Sequence, residues 1–210
     1  MNTIRITSEY LAPVSHYAFM YKADQIEVEV QEHYVKQSFR NRCNILSANG
    51  PMTLTIPVEK SELKRPCLKD MKISDHGNWR HLHWNAIKSS YNSSPFFEYY
   101  RDDFEPFYEK KYEYLNEFNE ALRALLFEHL DMQKIIKETQ SYEKITENGI
   151  TDLRAYAEPQ IKIGPEHNLV SKPYYQVFQT KYGFQPDLSI IDLLFNMGPE
   201  SELILRDMLL

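Results

Sequence analysis

Glycine is scarce in this chain. There are six in 210 residues, Gly50, Gly77, Gly149, Gly164, Gly183 and Gly198, and no two lie close together. Isolated glycines exclude the backbone cradles of GxGxxG and Walker loops, so an anion here must be held by side chains or by a helix N-terminus. The strand-to-helix GxSxG elbow, HExxH and CxxC are also missing. Cys43 and Cys67 are the only cysteines, too few for a disulfide framework. No run approaches the roughly 18 apolar residues that a membrane helix needs. The first residues, Met1-Asn2-Thr3-Ile4-Arg5-Ile6, lack the apolar stretch of a secretion signal, so the expected location is the cytoplasm. Basic excess is absent too. With 24 Lys and Arg against 30 Asp and Glu, the net charge of −6 argues against broad nucleic-acid binding.

What is present is apolar and aromatic residues. Hydrophobic residues make up 42%, with 15 Tyr and 11 Phe, enough for a sizeable core. Length and uniform composition suit one domain over residues 1–210. Strand signals fill the first third. They cover residues 3–11, the alternating stretch 26–30, and residues 34–46 and 52–58 about Asn49-Gly50-Pro51, which read as a β-hairpin. A helix is expected over 16–23 and a short strand near 67–73. Helical spacing then takes over. Trp79, Leu82, His83, Ala86, Ile87 and Ser90 form one stripe; Ser94-Pro95 restarts a helix at Phe96; Pro106 breaks or kinks it. Leu115, Phe118, Leu122, Leu125, Leu126 and His129 mark a further amphipathic helix. Residues 131–173 read as irregular, with a strand at 133–137 and helix or loop at 151–157. The pattern predicts a mixed α/β (α+β) fold, a small twisted sheet from the N-terminal third covered by helices from the middle and C-terminal parts.

The most fully specified segment runs from Phe184 to Pro199. Ser189 suits the N-cap, Asp192 the third position of an acidic capping box, and Leu188 with Leu193 a hydrophobic staple. Gly198 suits the C-terminal cap and Pro199 stops the helix. A short helix over 201–209 follows. Asp192 and Asn196 share one face of an otherwise apolar helix, where they either satisfy buried backbone or face a site.

Two other patches can carry chemistry. On a strand, Lys36, Ser38, Arg40 and Arg42 point to one side, an anion pocket for phosphate or carboxylate, or else a solvated face paired with Glu27, Glu29 or Glu32. His83 lies on the buried helical stripe, as a hydrogen-bonded core residue or as a general acid–base. His81 points elsewhere, so the two histidines do not make a metal site, and neither metal nor cofactor is expected. His16, beyond Pro13-Val14-Ser15, resembles the strand-loop-helix histidine of the nucleotidyltransferase superfamily, without a partner motif. The dense tyrosines and phenylalanines from Phe96 to Tyr114 read mostly as core.

Taken together, these blocks resemble the WbqC-like family nearly end to end. The residues concerned are Tyr10-Leu11-Ala12-Pro13 with Tyr17, the Arg40-Asn41-Arg42 block, residues 54–58 after Asn49-Gly50, Trp79 with His83, Tyr91 with Pro95-Phe96-Phe97, and the closing segment from Leu188 to Pro199. The chain is most similar to a compact, Bacteroidetes-type form. The resemblance implies a cytoplasmic transferase acting on an activated, nucleotide-linked sugar in surface-polysaccharide or O-antigen biosynthesis, with acyl or aminoacyl transfer to an amino sugar as its chemistry. The alternatives are a non-catalytic scaffold in envelope assembly, and a ligase or nucleotidyltransferase. It also implies one cleft in which His83 and Asp192 are catalytic while Lys36, Arg40, Asn41, Arg42, Tyr91, Gln176, Ser189 and Asn196 bind an anionic small molecule, a nucleotide sugar or an acyl donor. Tyr174 and Tyr175 border it. Longer members carry an extra Gly-containing segment, reduced here to residues 131–173, and the family usually has a small residue where this chain has His16.

Overall fold

Parallel strands cannot be joined by tight turns, so their pairing organises the chain around crossovers. A computed structural model describes residues 2–144, 149–163 and 165–209; Gly164 and residues 145–148 of the stretch expected to be irregular lie outside these. Strand β1 (Thr3–Thr7) leads through α1 (Val14–Lys22) to β2 (Gln25–Glu29). After them come β3 (Arg42–Ser47) and β4 (Gly50–Thr55), which pair only with each other, as the Asn-Gly signal predicts. The positive φ falls on Gly50 (φ 106°), beside the two-residue turn that joins Ser47 to it. Strands β5 (Ile135–Glu138) and β6 (Ile150–Asp152) complete a four-stranded parallel sheet in the order β5-β2-β1-β6. The fold is thus mixed α/β, as expected, but the main sheet draws half its strands from the middle of the chain.

The alternation in β1 and β2 has a two-sided cause. Ile4 lies beside Ile26 and Ile6 beside Val28 on the face that joins the core. On the other face Arg5 lies beside Glu27 and hydrogen-bonds it at 2.8 Å, with Glu143 at 3.0 Å. There Arg154 reaches both Asp152 and Glu29. Paired charges, rather than a helix, cover that side.

Helices α2 (Trp79–Tyr91), α3 (Phe97–Glu109) and α4 (Leu115–His129) follow the predicted stripes. Pro106 sits inside α3, which runs on past it to Glu109. After the short α5 (Gln179–Tyr182), α6 (Ile190–Met197) contacts α1, α2, α3 and α7 (Ser201–Asp207). Its apolar residues Ile190, Ile191, Leu193, Leu194 and Phe195 are fully buried. The Phe195 ring meets those of Tyr91, Phe97 and Phe104 edge-on. A helix that is apolar all round belongs at the centre.

Three local expectations are corrected. Residues 34–41 are not strand: Gln37 adopts φ 61° and the Ser38 hydroxyl closes a turn on the Val35 carbonyl. Residues 67–73 hold a turn of 3₁₀ helix, Leu68–Asp70, flanked by bridges His33–Cys67 and Val58–Ile73. Ser189 stands at the N-cap of α6, but its hydroxyl donates to the Leu11 carbonyl and makes no cap bond. Asp192 therefore does not close a capping box with it. Among the described residues, no helix is long and apolar enough to cross a membrane.

Candidate functional site

In open parallel sheets ligands bind beyond the carboxyl ends of the strands, where the strand order reverses. Here the chain moves outward from β1 to β2 and β5, then returns to place β6 on the other side of β1. The segments after β1, β2 and β6 meet at that point. The Tyr10 amide bonds the Phe39 carbonyl and the Phe39 amide bonds Ala157. Beside them lies a cavity of about 390 Å³, lined by Ser15, His16, Phe39, Tyr156, Lys162 and Asp187 among others.

Local chemistry sets its inner end. Pro13 begins α1 from an extended conformation that suits a helix start. The amide of Val14 donates to Leu188, and the Ser15 amide donates to the Asp187 carboxylate at 2.9 Å. Asp187 reaches this position with φ 58°. His16 Nδ1 hydrogen-bonds Glu9 Oε2 at 2.9 Å, and both side chains are buried. Burial alone would depress the imidazole. The charge and hydrogen bond of Glu9, with the charge of Asp187, outweigh it and raise the pKa above its ordinary 6.5. No residue among those described hydrogen-bonds Nε2, and His16 lines the cavity. The Ser15 hydroxyl is buried at the cavity wall without a partner. A carboxylate-oriented imidazole with its second nitrogen free is equipped to move a proton.

The residues singled out in the sequence occupy other places. Arg40, only 2% exposed, directs Nε and Nη2 at Glu32 Oε1 (2.8 and 2.7 Å), which also accepts from the Thr7 hydroxyl. This is the Glu32 pairing allowed as the alternative. Burial raises the Glu32 pKa, against the opposing effect of Arg40 and Thr7. Asn41 donates to the Ile56 carbonyl. Arg42 stands on β3, while Lys36 is exposed in a separate groove. His83 Nδ1 meets the Tyr10 hydroxyl at 3.1 Å, and that hydroxyl meets Tyr108 at 2.9 Å. Burial lowers His83 to about 4, with the Thr55 backbone acting the other way.

Asp192 gathers four of the expected companions. It accepts from Tyr91 (3.0 Å), Tyr174 (2.8 Å) and Gln176 (2.9 Å), and Asn196 caps its backbone carbonyl at 2.7 Å. The fold therefore assembles Tyr91, Gln176, Asp192 and Asn196 as one closed network. It holds Arg40 and His83 in two others. None of these six lines the His16 cavity or the Lys36 groove. Sequence reasoning noted His16 but missed Glu9 and Asp187. Seven and 171 positions away, they leave no spacing signal, and only the fold makes them partners.

A family model described as the WbqC-like protein family matches residues 8–158. The uncharacterized protein Rv1507c of Mycobacterium tuberculosis is 24% identical over 225 residues, covering 96% of this chain and 96% of that protein. No solved structure matches. The family match spans Ser15 and His16 of the cavity, α1, β2 to β4, α2 to α4, β5 and β6, and on it the chain belongs to the WbqC-like protein family.

Proposed function

We propose that the protein is a transferase acting on an activated, nucleotide-linked sugar, moving an acyl or aminoacyl group onto the sugar's amine in the cavity beside His16. The single observation that carries this reading is the buried Glu9–His16 pair lining a cavity beside the segments that follow β1, β2 and β6. The amine nitrogen bonds to the acyl carbon. The bond from that carbon to its leaving group breaks with the electron pair on the leaving group. The amine proton passes to His16 Nε2. Glu9 is the positioning residue, and its charge brings the imidazole toward the pH at which it both accepts and returns a proton. The pathway we infer from the resemblance is surface-polysaccharide biosynthesis.

A thermal-shift screen with nucleotide sugars and acyl thioesters, followed by turnover assays, tests it. His16→Gln should lower kcat by about 10²- to 10⁴-fold with KM little changed. Glu9→Gln should shift the acid limb of the rate profile to lower pH, since the imidazole loses its negative neighbour. Absence of a shift with every nucleotide sugar and thioester, or full turnover in His16→Gln, overturns the proposal. A second reading, a non-catalytic binding protein of envelope assembly, is favoured by one observation. Asp187 occupies the Ser15 amide, where a ligand phosphate would otherwise dock. Binding without turnover, unaffected by His16→Gln, would select it.

A further inference from the structure

A larger groove lies away from the His16 cavity, between the residues after β2 and the loop after β4. Its volume is about 840 Å³. Lys36, Lys60, Lys64 and Arg65 line it, and Glu59 is the one carboxylate among its lining residues. Four cations against one carboxylate leave a local excess of three positive charges in a chain of net charge −6. Some cations elsewhere are neutralised, Lys72 by Glu113, Lys111 by Asp75, Arg101 by Asp102 and Arg206 by Asp207, whereas exposed Lys22, Lys69, Lys110 and Lys137 have no ion pair among the described residues but stand apart from one another in the chain. None of the four groove cations has an ion pair or side-chain hydrogen bond among the described residues. Like charges that line one groove repel, and Glu59 is the one counter-charge in its lining.

The wall between them is apolar, with Tyr34, Val58 and Met71 contributing. Burial pushes the Tyr34 phenol up to about 12, with Arg42 and Arg40 opposing, so it remains a neutral donor at physiological pH. A concave site of this size, apolar within and cationic at its rim, suits a small organic ligand with a concentrated negative end. A membrane surface is too flat to enter it. An extended nucleic acid would also meet the acidic remainder of the chain.

We propose that this groove binds organic polyphosphates, with Lys36, Lys60, Lys64 and Arg65 holding a diphosphate and the Tyr34–Met71 wall taking the attached apolar or aromatic group. The inference stands on the groove alone and does not require the His16 reading. Binding is measured by calorimetry on the full chain with pyrophosphate, uridine and adenosine diphosphates, the corresponding monophosphates and inorganic phosphate, each at low and raised salt. Diphosphates should bind more tightly than monophosphates, and less tightly as salt rises. The triple variant Lys60→Glu, Lys64→Glu, Arg65→Glu changes exposed loop positions, and its fold is checked by circular dichroism. It should weaken nucleoside diphosphate binding by about tenfold or more. Lys36→Ala, on the opposite wall, should weaken it as well. Unchanged affinity in a folded triple variant overturns the proposal. So does binding of a short single strand of DNA or of anionic vesicles without binding of any diphosphate. Nucleotide-sugar thermal shifts that survive the triple variant but not His16→Gln belong to the other cavity, so the two proposals fail separately.

Discussion

The buried carboxylate of Asp192 makes stability depend on pH in an unusual direction. Burial raises its pKa from 3.8 to about 6, and the hydrogen bonds from Tyr174, Tyr91 and Gln176 only partly oppose that. The folded state thus holds the proton more tightly than the unfolded chain does. Protonation contributes fully below about pH 3.8, and the contribution is lost as pH rises through 6. A rise of about two pKa units corresponds to about 3 kcal/mol. Of this, about 2 kcal/mol disappears between about pH 4.5 and about pH 7.5. Asp192→Asn keeps the shape and one acceptor but does not titrate. Every other ionisable group is common to both proteins and cancels in the difference, provided the network is the only thing altered. Urea denaturation of both across that range should show the stability of the natural chain, relative to the variant, falling by about 2 kcal/mol as pH rises. A constant difference would refute the reasoning, since it would mean that the three donors compensate the carboxylate fully. A rising difference would mean that they stabilise the charge beyond what water does.

Two further outcomes follow from the same geometry. The histidines should titrate on opposite sides of the ordinary value: by NMR, His83 should stay neutral down to about pH 4 through burial, while His16 should titrate above 6.5 beside Glu9. Gly198→Ala should destabilise by about 2–4 kcal/mol in chemical denaturation. A methyl group there would lie 2.5 Å from the Phe96 ring, whose backbone is tied to Phe195, and φ is 53°.

Local regularities were legible in the residues themselves. The stripes of α2 and α4 repeat within a few turns, the Asn49-Gly50 hairpin needs only neighbours, and α6 carries its own stop at Gly198. Such signals act over a few residues and need no tertiary partner. The strip from Lys36 to Arg42 misled because its alternation suits a strand, whereas Gln37 turns the chain and sends Arg40 inward. Lys36 stays outside with the groove cations. The Ser189–Asp192 capping box failed for a related reason. A hydroxyl that caps its own helix in isolation was drawn instead to the Leu11 carbonyl, 178 residues away.

By itself, then, the order of residues determined the class of fold, most helices, the hairpin and the WbqC-like membership, because periodicity, turn chemistry and motif residues are written within short windows. Tertiary structure alone decided which polar groups remain free. Arg40, His83 and Asp192 are consumed by Glu32, Tyr10 and the Tyr91–Tyr174–Gln176 ring of donors, while His16 acquires Glu9 and a cavity. Parallel strands pair residues far apart in the chain, as Arg5 and Asp152 do, and the burial of a charge depends on such distant partners. No local pattern encodes them.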